Sequence, residues 1–258
     1  MTMNEMQRLL SFVRRAADDY NMIDEGDRIA VGVSGGKDSL ALLETLCEMR
    51  RFYPKRYEVV ALTVDMGFDR AGLGECDFSE VEELCRRLHV EYKIVRTDIA
   101  NIIFNTRKET SPCSLCAKMR RGALHVAAKE AGCNKVALGH HYDDAVETFM
   151  LNLFFEGRLG CFSPKSFLTR REITVIRPLL YARERDVEYF ARKRSLPVVK
   201  SPCPEDHATE REKMKLLLRS LEKENKGLSH RIFHAMCDAE IDGFRLFGRY
   251  PDAGKIDE

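Results

Sequence analysis

The chain has 258 residues, 44% hydrophobic and 32% charged, a balance that suits a folded domain with a heavily charged surface and excludes a disordered or fibrous chain. Its net charge of +1 gives no bulk attraction to a polyanion, so any nucleic acid must be held by a local basic patch. No stretch approaches the roughly 20 uninterrupted apolar residues of a membrane helix, and MTMNEMQRLLSF lacks the apolar core of a signal peptide, so a cytoplasmic protein with no membrane partner is expected.

Residues 4–20 predict an amphipathic helix, with Met6, Leu9, Leu10, Phe12, Val13 and Ala16 on one broad stripe. A short linker leads to a β-branched strand at 29–33, then to a glycine-rich turn and a helix whose apolar spacing starts at Leu40. A near-continuous apolar strand follows at 58–64, of the type a sheet covered on both faces requires. A helix at 79–88, a strand at 91–96, and strands at 135–138 and 173–176 alternate with helical segments near 115–131, 141–155 and 184–194. This rhythm predicts an α/β chain with a doubly wound, mostly parallel five-stranded sheet. Beyond Ser201 the polar run SPCPEDHATER precedes helices near 208–224 and 229–242, and RYPDAGKIDE reads as a disordered tail. The expected organisation is an N-terminal helix over 1–22, one α/β domain over 23–200, and a helical extension over 201–258.

The most specific local feature is Ser34-Gly35-Gly36-Lys37-Asp38-Ser39, set where the first strand turns into a helix. The two glycines let the backbone turn tightly and approach a ligand, the amides at the helix start favour phosphate oxygens, and Lys37 adds a full positive charge. It is not a Walker A loop, because Gly32 stands too close to Gly36-Lys37 and Asp38 replaces the magnesium-binding hydroxyl residue. A second motif, Gly139-His140-His141-Tyr142-Asp143-Asp144, ends a strand and starts a helix at the edge of the sheet where open α/β folds bind ligands. Its acidic residues can hold magnesium, orient a base or close the nucleotide site, or can simply complement a helix dipole. Arg177, in Ile176-Arg177-Pro178-Leu179-Leu180, adds a cation at the same edge.

Nine cysteines in a cytoplasmic chain do not form a disulfide framework. Cys47, Cys85, Cys133, Cys161 and Cys237 sit in apolar or helical contexts and read as structural, and Cys76 stands unassigned in a polar loop. Cys113-Ser114-Leu115-Cys116 opens a helix, where the dipole and the cations Lys118, Arg120 and Arg121 are expected to lower thiol pKa. A CxxC serves as half a zinc site, a redox pair or cluster ligands. No second CxxC completes a zinc site, and the sheet already carries a nucleotide loop in place of a thioredoxin context. Cys203, in the proline-bounded loop Ser201-Pro202-Cys203-Pro204, is the remaining candidate; three thiolates fit a cluster with one iron left open, and the bland alternative gives Cys203 no role.

The hexamer SGGKDS resembles the PP-loop of the N-type ATP pyrophosphatases. Together with PCSLCAKMRRG, LGHHYDDAVET, IRPLLYARERDV and the late Cys203, the stretch from Tyr20 to Phe244 resembles the tRNA 2-thiocytidine synthetase family of PP-loop tRNA thiolases. The resemblance implies an adenine nucleotide alpha hydrolase-like fold that binds ATP and magnesium through Ser34, Gly35, Gly36, Lys37, Asp38, Ser39, Gly139, His140, Asp143 and Asp144. It implies a 4Fe–4S cluster on Cys113, Cys116 and Cys203, with Lys37, Asp38 and Asp144 taking part in catalysis beside those thiols. The implied reaction adenylates the C2 oxygen of a tRNA cytidine, at anticodon-loop position 32, and replaces that oxygen with sulfur drawn from sulfide or a cysteine desulfurase. A homodimer is implied as well. The better candidates for RNA contact are Lys118, Arg120, Arg121, Lys165, Arg170, Arg171 and Arg177. One departure stands out: a familiar form of the family has its later cysteine in a second CxxC, whereas here the sequence is CPED. The alternatives are thiolation of another tRNA base, a lysidine synthetase-like ligase, which shares the loop but lacks the cysteine set, and a non-catalytic cluster-containing RNA-binding or redox-sensing module.

Overall fold

The computed structural model describes residues 4–107, 112–205 and 210–247. In chain order the elements are α1 (Glu5–Asp19), β1 (Asp27–Gly32), α2 (Lys37–Met49), β2 (Tyr57–Asp65), α3 (Ser79–Arg87), β3 (Glu91–Arg96), a π-helical turn (Asn101–Arg107), α4 (Pro112–Glu130), β4 (Lys135–Ala137), α5 (Tyr142–Phe155), β5 (Lys165–Leu168), β6 (Ile173–Ile176), a 3-10 turn (Pro178–Tyr181), α6 (Glu184–Lys193), α7 (Glu210–Glu224) and α8 (Leu228–Asp238). The tail beyond residue 247, expected to be disordered, lies outside the described residues.

The strands form one sheet in the order β3-β2-β1-β4-β6-β5. The first five run parallel, and β5 closes the edge antiparallel to β6 with Lys165 opposite Ile176. The expected doubly wound, mostly parallel arrangement is therefore present with six strands instead of five. The missed strand is four residues long, has Lys165 and Phe167 exposed, and owes its conformation to the β6 ladder more than to any apolar pattern of its own.

Alternation along the strands explains why they read as continuous apolar runs. On β1, Ile29 and Val31 face one core with α1, α2 and α6, while Ala30 faces the other with Leu124, Ala127 and Ala128 of α4. On β2, Val59 and Ala61 point to the first core and Val60 and Leu62 to the second. The C-terminal helices join the first core: Met214 and Leu218 of α7, and Phe233, Met236 and Cys237 of α8, are buried there with Phe190 of α6.

A third, smaller core of Met66, Phe68, Ile99, Ala100 and Ile103 lies beyond the ends of β2 and β3. Cys76, Cys116 and Cys203 pack against it. This places the cysteine loops at the carboxyl end of the parallel strands. The strand order reverses around β1, whose neighbours are β2 and β4, so the crevice at this topological switch lies directly beyond β1 and β4.

Candidate active site

The loop after β1 is built for a close approach of backbone to ligand. Gly35 has φ +82, and a Cβ there would stand 2.9 Å from Val199 Cβ, so both its conformation and its packing call for glycine. Its carbonyl accepts the Val199 amide at 3.0 Å, which ties the loop to the segment leading into Cys203. Ser39 Oγ accepts from the Ser34 amide at 3.1 Å and donates to the Gly36 carbonyl at 2.9 Å, holding the turn shut across its base.

Beyond β4, Gly139 lies against the start of α2. A Cβ at this position would meet Asp38 C at 3.0 Å and Ser39 N at 3.1 Å, both backbone atoms that cannot swing aside. Gly139→Ala is therefore expected to displace the loop, weakening ATP affinity about tenfold and lowering stability by about 1–3 kcal/mol. Calorimetric titration with ATP and urea denaturation check the two effects.

Ser34, Asp38, Ser39, Gly139, His140 and Asp144 line one cavity of about 510 Å³ with Arg120, Arg121, Arg177 and Arg211. Asp38 Oδ1 is buried without a hydrogen-bond partner among the described residues, with Lys37 Nζ 3.3 Å away. A carboxyl oxygen left without a hydrogen-bond donor suits a hard cation such as magnesium. Asp144 is partly committed: its Oδ2 accepts the His141 amide at 2.9 Å while the Asp144 amide donates to His141 Nδ1 at 3.2 Å, a reciprocal cap on α5.

Two expected site residues stand behind the cavity lining, engaged by neighbouring side chains. Asp143 accepts the Glu184 amide at 2.6 Å and pairs with Arg183 at 3.5 Å, so it anchors α6. Lys37 directs its Nζ to Asp38 and to Glu184, each at 3.3 Å. Burial opposes the lysine charge, but Asp38 and Glu184 outweigh it and raise its pKa. Glu184 in turn accepts from Lys215 at 2.6 Å and from Arg219 at 3.3 Å. Burial also opposes the Glu184 charge, yet the Lys215 hydrogen bond and the charges of Lys37 and Lys215 prevail and hold its pKa at about 2.

A carboxyl depressed in this way contributes stability that is present above its ordinary pKa near 4.5 and is lost as pH falls toward 2. Glu184→Gln is expected to destabilise the protein by about 1–2 kcal/mol at pH 7, solvent screening having reduced the full linkage value, and by much less at pH 2.5. Equal differences at the two pH values, measured in urea, would contradict the ion-pair account.

The three cysteines are brought together from two chain segments. Cys113 and Cys116 occupy the first turns of α4, and Cys203 comes from the loop before α7. The expected low thiol pKa values are not found. Burial raises both helix thiols, the Cys203 charge raises each further, and Arg120 alone opposes at Cys116. The Cys203 charge opposes ionisation of both helix thiols, which marks the three as neighbours, and a bound cationic group would relieve that penalty. Among the described residues no three His, Cys, Asp or Glu side chains stand close enough to chelate a single ion. A cubane cluster asks for something else, since each cysteine binds a different iron, and the thiol-only donor set fits it. Cys47, Cys85, Cys133 and Cys237 are buried, in line with a structural role.

The basic residues fall into separate places. Lys118, Arg120 and Arg121 are exposed on α4 beside the cavity. Arg170 and Arg171 occupy the turn before β6, at the opposite end of the sheet from the glycine loop, and Lys165 Nζ donates to the Asn21 carbonyl. Arg177 is a correction: expected on an RNA-facing surface, it is only 8% exposed and packs on Phe162 and His140. Sequence reading also missed Arg211, which enters the cavity from α7. Its Nη2 donates to Thr148 Oγ1 at 3.0 Å, and its Nη1 lies 3.5 Å from both Asp144 and Glu147. Nothing in the polar run that precedes α7 marked it.

A phosphate-cradling loop after the central strand, facing aspartates across the sheet's switch point, defines a PP-loop nucleotide-binding protein, and residues 3–220 match the family model described as a PP-loop domain. The chain is 42% identical over 244 residues to the tRNA-cytidine(32) 2-sulfurtransferase of Geobacter metallireducens, covering 91% of this chain and 90% of that one. It is 41% identical over 239 residues to the protein of the same name from Geobacter sulfurreducens, covering 91% and 90%. With matches of that breadth, the chain belongs to the tRNA-cytidine(32) 2-sulfurtransferase family. Among solved structures it is similar to the U34-tRNA thiolase NcsA from Methanococcus maripaludis with its 4Fe–4S cluster, at 26% identity and a TM-score of 0.71, covering 87% of this chain and 77% of that one.

Proposed function

We propose that this protein is an ATP-dependent tRNA sulfurtransferase that converts cytidine 32 of the anticodon loop to 2-thiocytidine. The observation that carries the reading is the position of α4. Its first turns bear Cys113 and Cys116, and one turn further Arg120 and Arg121 form the wall of the cavity bounded by Ser34, Asp38 and Ser39. The helix that carries two of the thiols thus also walls the nucleotide chamber, one turn further along.

The carbonyl oxygen at C2 of cytosine is a poor leaving group. Attack of that oxygen on the α-phosphorus of ATP expels pyrophosphate and leaves the oxygen bonded to AMP. Attack of a sulfur nucleophile at C2 then breaks the C2–oxygen bond, and AMP departs with the oxygen as a stabilised phosphate anion. The amides of the Ser34–Ser39 loop and Lys37 hold the phosphates and offset the charge that builds on pyrophosphate. Asp38 and Asp144 are the carboxylates that would hold magnesium, which would share the phosphate charge. Cys113, Cys116 and Cys203 would hold the 4Fe–4S cluster, which would supply the sulfur-delivery chemistry. Lys118, Arg120 and Arg121 meet the tRNA backbone at the cavity mouth.

The segment 201–258 acts as an extension that supplies Cys203 and closes the site with α7. The protein works in the cytoplasm as a homodimer, with tRNA and a sulfide or cysteine desulfurase donor as partners. Among the described residues no helix is long and apolar enough to cross a membrane.

Mass spectrometry of tRNA nucleosides from cells lacking the protein tests the reading. Disappearance of 2-thiocytidine is the expected result. Loss of lysidine, or of a different thiolated base with 2-thiocytidine intact, would assign the chain to one of the other substrates.

A further inference from the structure

Arg177 follows β6 and His140 follows β4, and these strands are parallel neighbours, so both residues emerge at the ligand edge of the sheet. Arg177 Nε donates to His140 Nδ1 at 3.2 Å, and its Nη1 donates to the Ser163 carbonyl. The guanidinium lies 4.8 Å from the centroid of the Phe162 ring, and that ring stacks on the imidazole at 4.8 Å and 27°. A phosphate-binding surface arginine keeps its head group in water. This one is packed on Phe162 and has committed Nε to a histidine and Nη1 to a carbonyl.

A guanidinium carries N–H donors and no acceptor. The ring nitrogen it meets must present a lone pair, so the imidazole proton resides on Nε2. Burial and the Arg177 charge both push the His140 pKa well below that of a free histidine, so the ring is neutral. Its chain neighbour Gly139 abuts the backbone of Asp38 and Ser39, and His140 lines the cavity with them. A neutral N–H donor beside a phosphate cradle stabilises an oxygen as its charge grows, without the strong attraction to Asp38 and Asp144 that an imidazolium would have.

We propose that Arg177 is a positioning residue: it locks His140 in the Nε2–H tautomer, and His140 donates that hydrogen to a phosphoryl oxygen of the nucleotide where AMP is transferred. The identity of the acceptor rests on the sulfurtransferase reading; the tautomer does not.

Nitrogen NMR of protein labelled at its histidine ring nitrogens, with His140 assigned from the signals missing in His140→Gln, tests the lock directly. The wild-type protein is expected to show an unprotonated Nδ1 and a protonated Nε2 at His140, and Arg177→Met to move both toward the averaged values of a free tautomer mixture. In tRNA-dependent pyrophosphate release, Arg177→Met is expected to lower kcat about 100-fold with KM for tRNA within about twofold. His140→Gln, whose amide donates from the Nε2 position, is expected to stay within about tenfold of wild type, and His140→Asn to lose about 100-fold. A protonated Nδ1 in the wild type overturns the proposal, as does an unchanged tautomer in a folded Arg177→Met protein. A raised KM for tRNA with unaltered kcat in that variant does the same, since it would mark a backbone contact. If Arg177→Met does not fold, the wild-type spectrum and the Gln and Asn pair decide. The spectrum needs neither ATP nor tRNA, so absent turnover in the wild type would count against the sulfurtransferase reading alone.

Discussion

Lys37→Ala is expected to slow tRNA-dependent pyrophosphate release by about 100- to 1,000-fold, the loss typical of removing one preorganised group from a developing charge. Lys37 occupies the first turn of α2, directly after the glycine pair, where amides at a helix start favour phosphate oxygens. Its ammonium is kept charged by Asp38 and Glu184 despite its burial. Pyrophosphate gains negative charge as it leaves, so a fixed cation helps the transition state more than the bound substrate, and kcat falls more than ATP affinity. Lys37→Arg is not expected to restore the rate, because a planar fork does not fit the point-charge geometry between the two carboxylates. Release by Lys37→Ala within about threefold of wild type, measured by coupled phosphate detection, would remove the lysine from this role.

Cys113→Ala, Cys116→Ala and Cys203→Ala are each expected to reduce iron after anaerobic reconstitution to background and to abolish 2-thiocytidine formation, while ATP still binds. The three thiols come from two segments, yet the Cys203 charge opposes ionisation of both helix thiols, and Cys116 and Cys203 pack on one small core. Removing any one leaves two ligands for a cluster that needs at least three protein attachments to be held firmly. Cys47→Ser and Cys237→Ser serve as the contrast. Both side chains are buried, 4% and 1% exposed, so a serine hydroxyl there is expected to cost about 1–3 kcal/mol of stability and to leave iron content unchanged. Normal iron in Cys203→Ala would remove that residue from the ligand set, and Cys76, which packs on the same small core, would be the next thiol to examine.

Much of the fold was legible because its central strands are buried on both faces and its helices have one apolar stripe. The apolar β1 core and the 58–64 run, broken only by Thr63 after its opening Glu58, stood out clearly, and β3 and β6 fell where expected. Edge strand β5 escaped because an exposed four-residue strand has no burial pattern to display. The thiol pKa expectation failed for a related reason. Helix position and nearby cations can be read locally, but the desolvation of Cys116 and the approach of Cys203 across the fold cannot.

By itself, the sequence determined the chemistry: SGGKDS with a CxxC and a late cysteine names phosphate binding and thiolate ligation, because those properties belong to residue types at short range. Tertiary structure decided the allocation of roles. Asp143 and Asp144 are adjacent in sequence, yet one anchors α6 and the other lines the cavity, because successive positions at a helix start point in different directions. Arg177 and Arg120 are both cations near strand ends or helix starts, yet one is stacked inside on Phe162 and the other is exposed at the cavity. Arg211 and Glu184 were silent in the sequence because their partners, Thr148 with Asp144 and Lys37 with Lys215, are brought to them only when α7 packs on α5 and α2 packs on α6. Side-chain direction and long-range charge pairing arise from packing, and packing is what a linear reading does not contain.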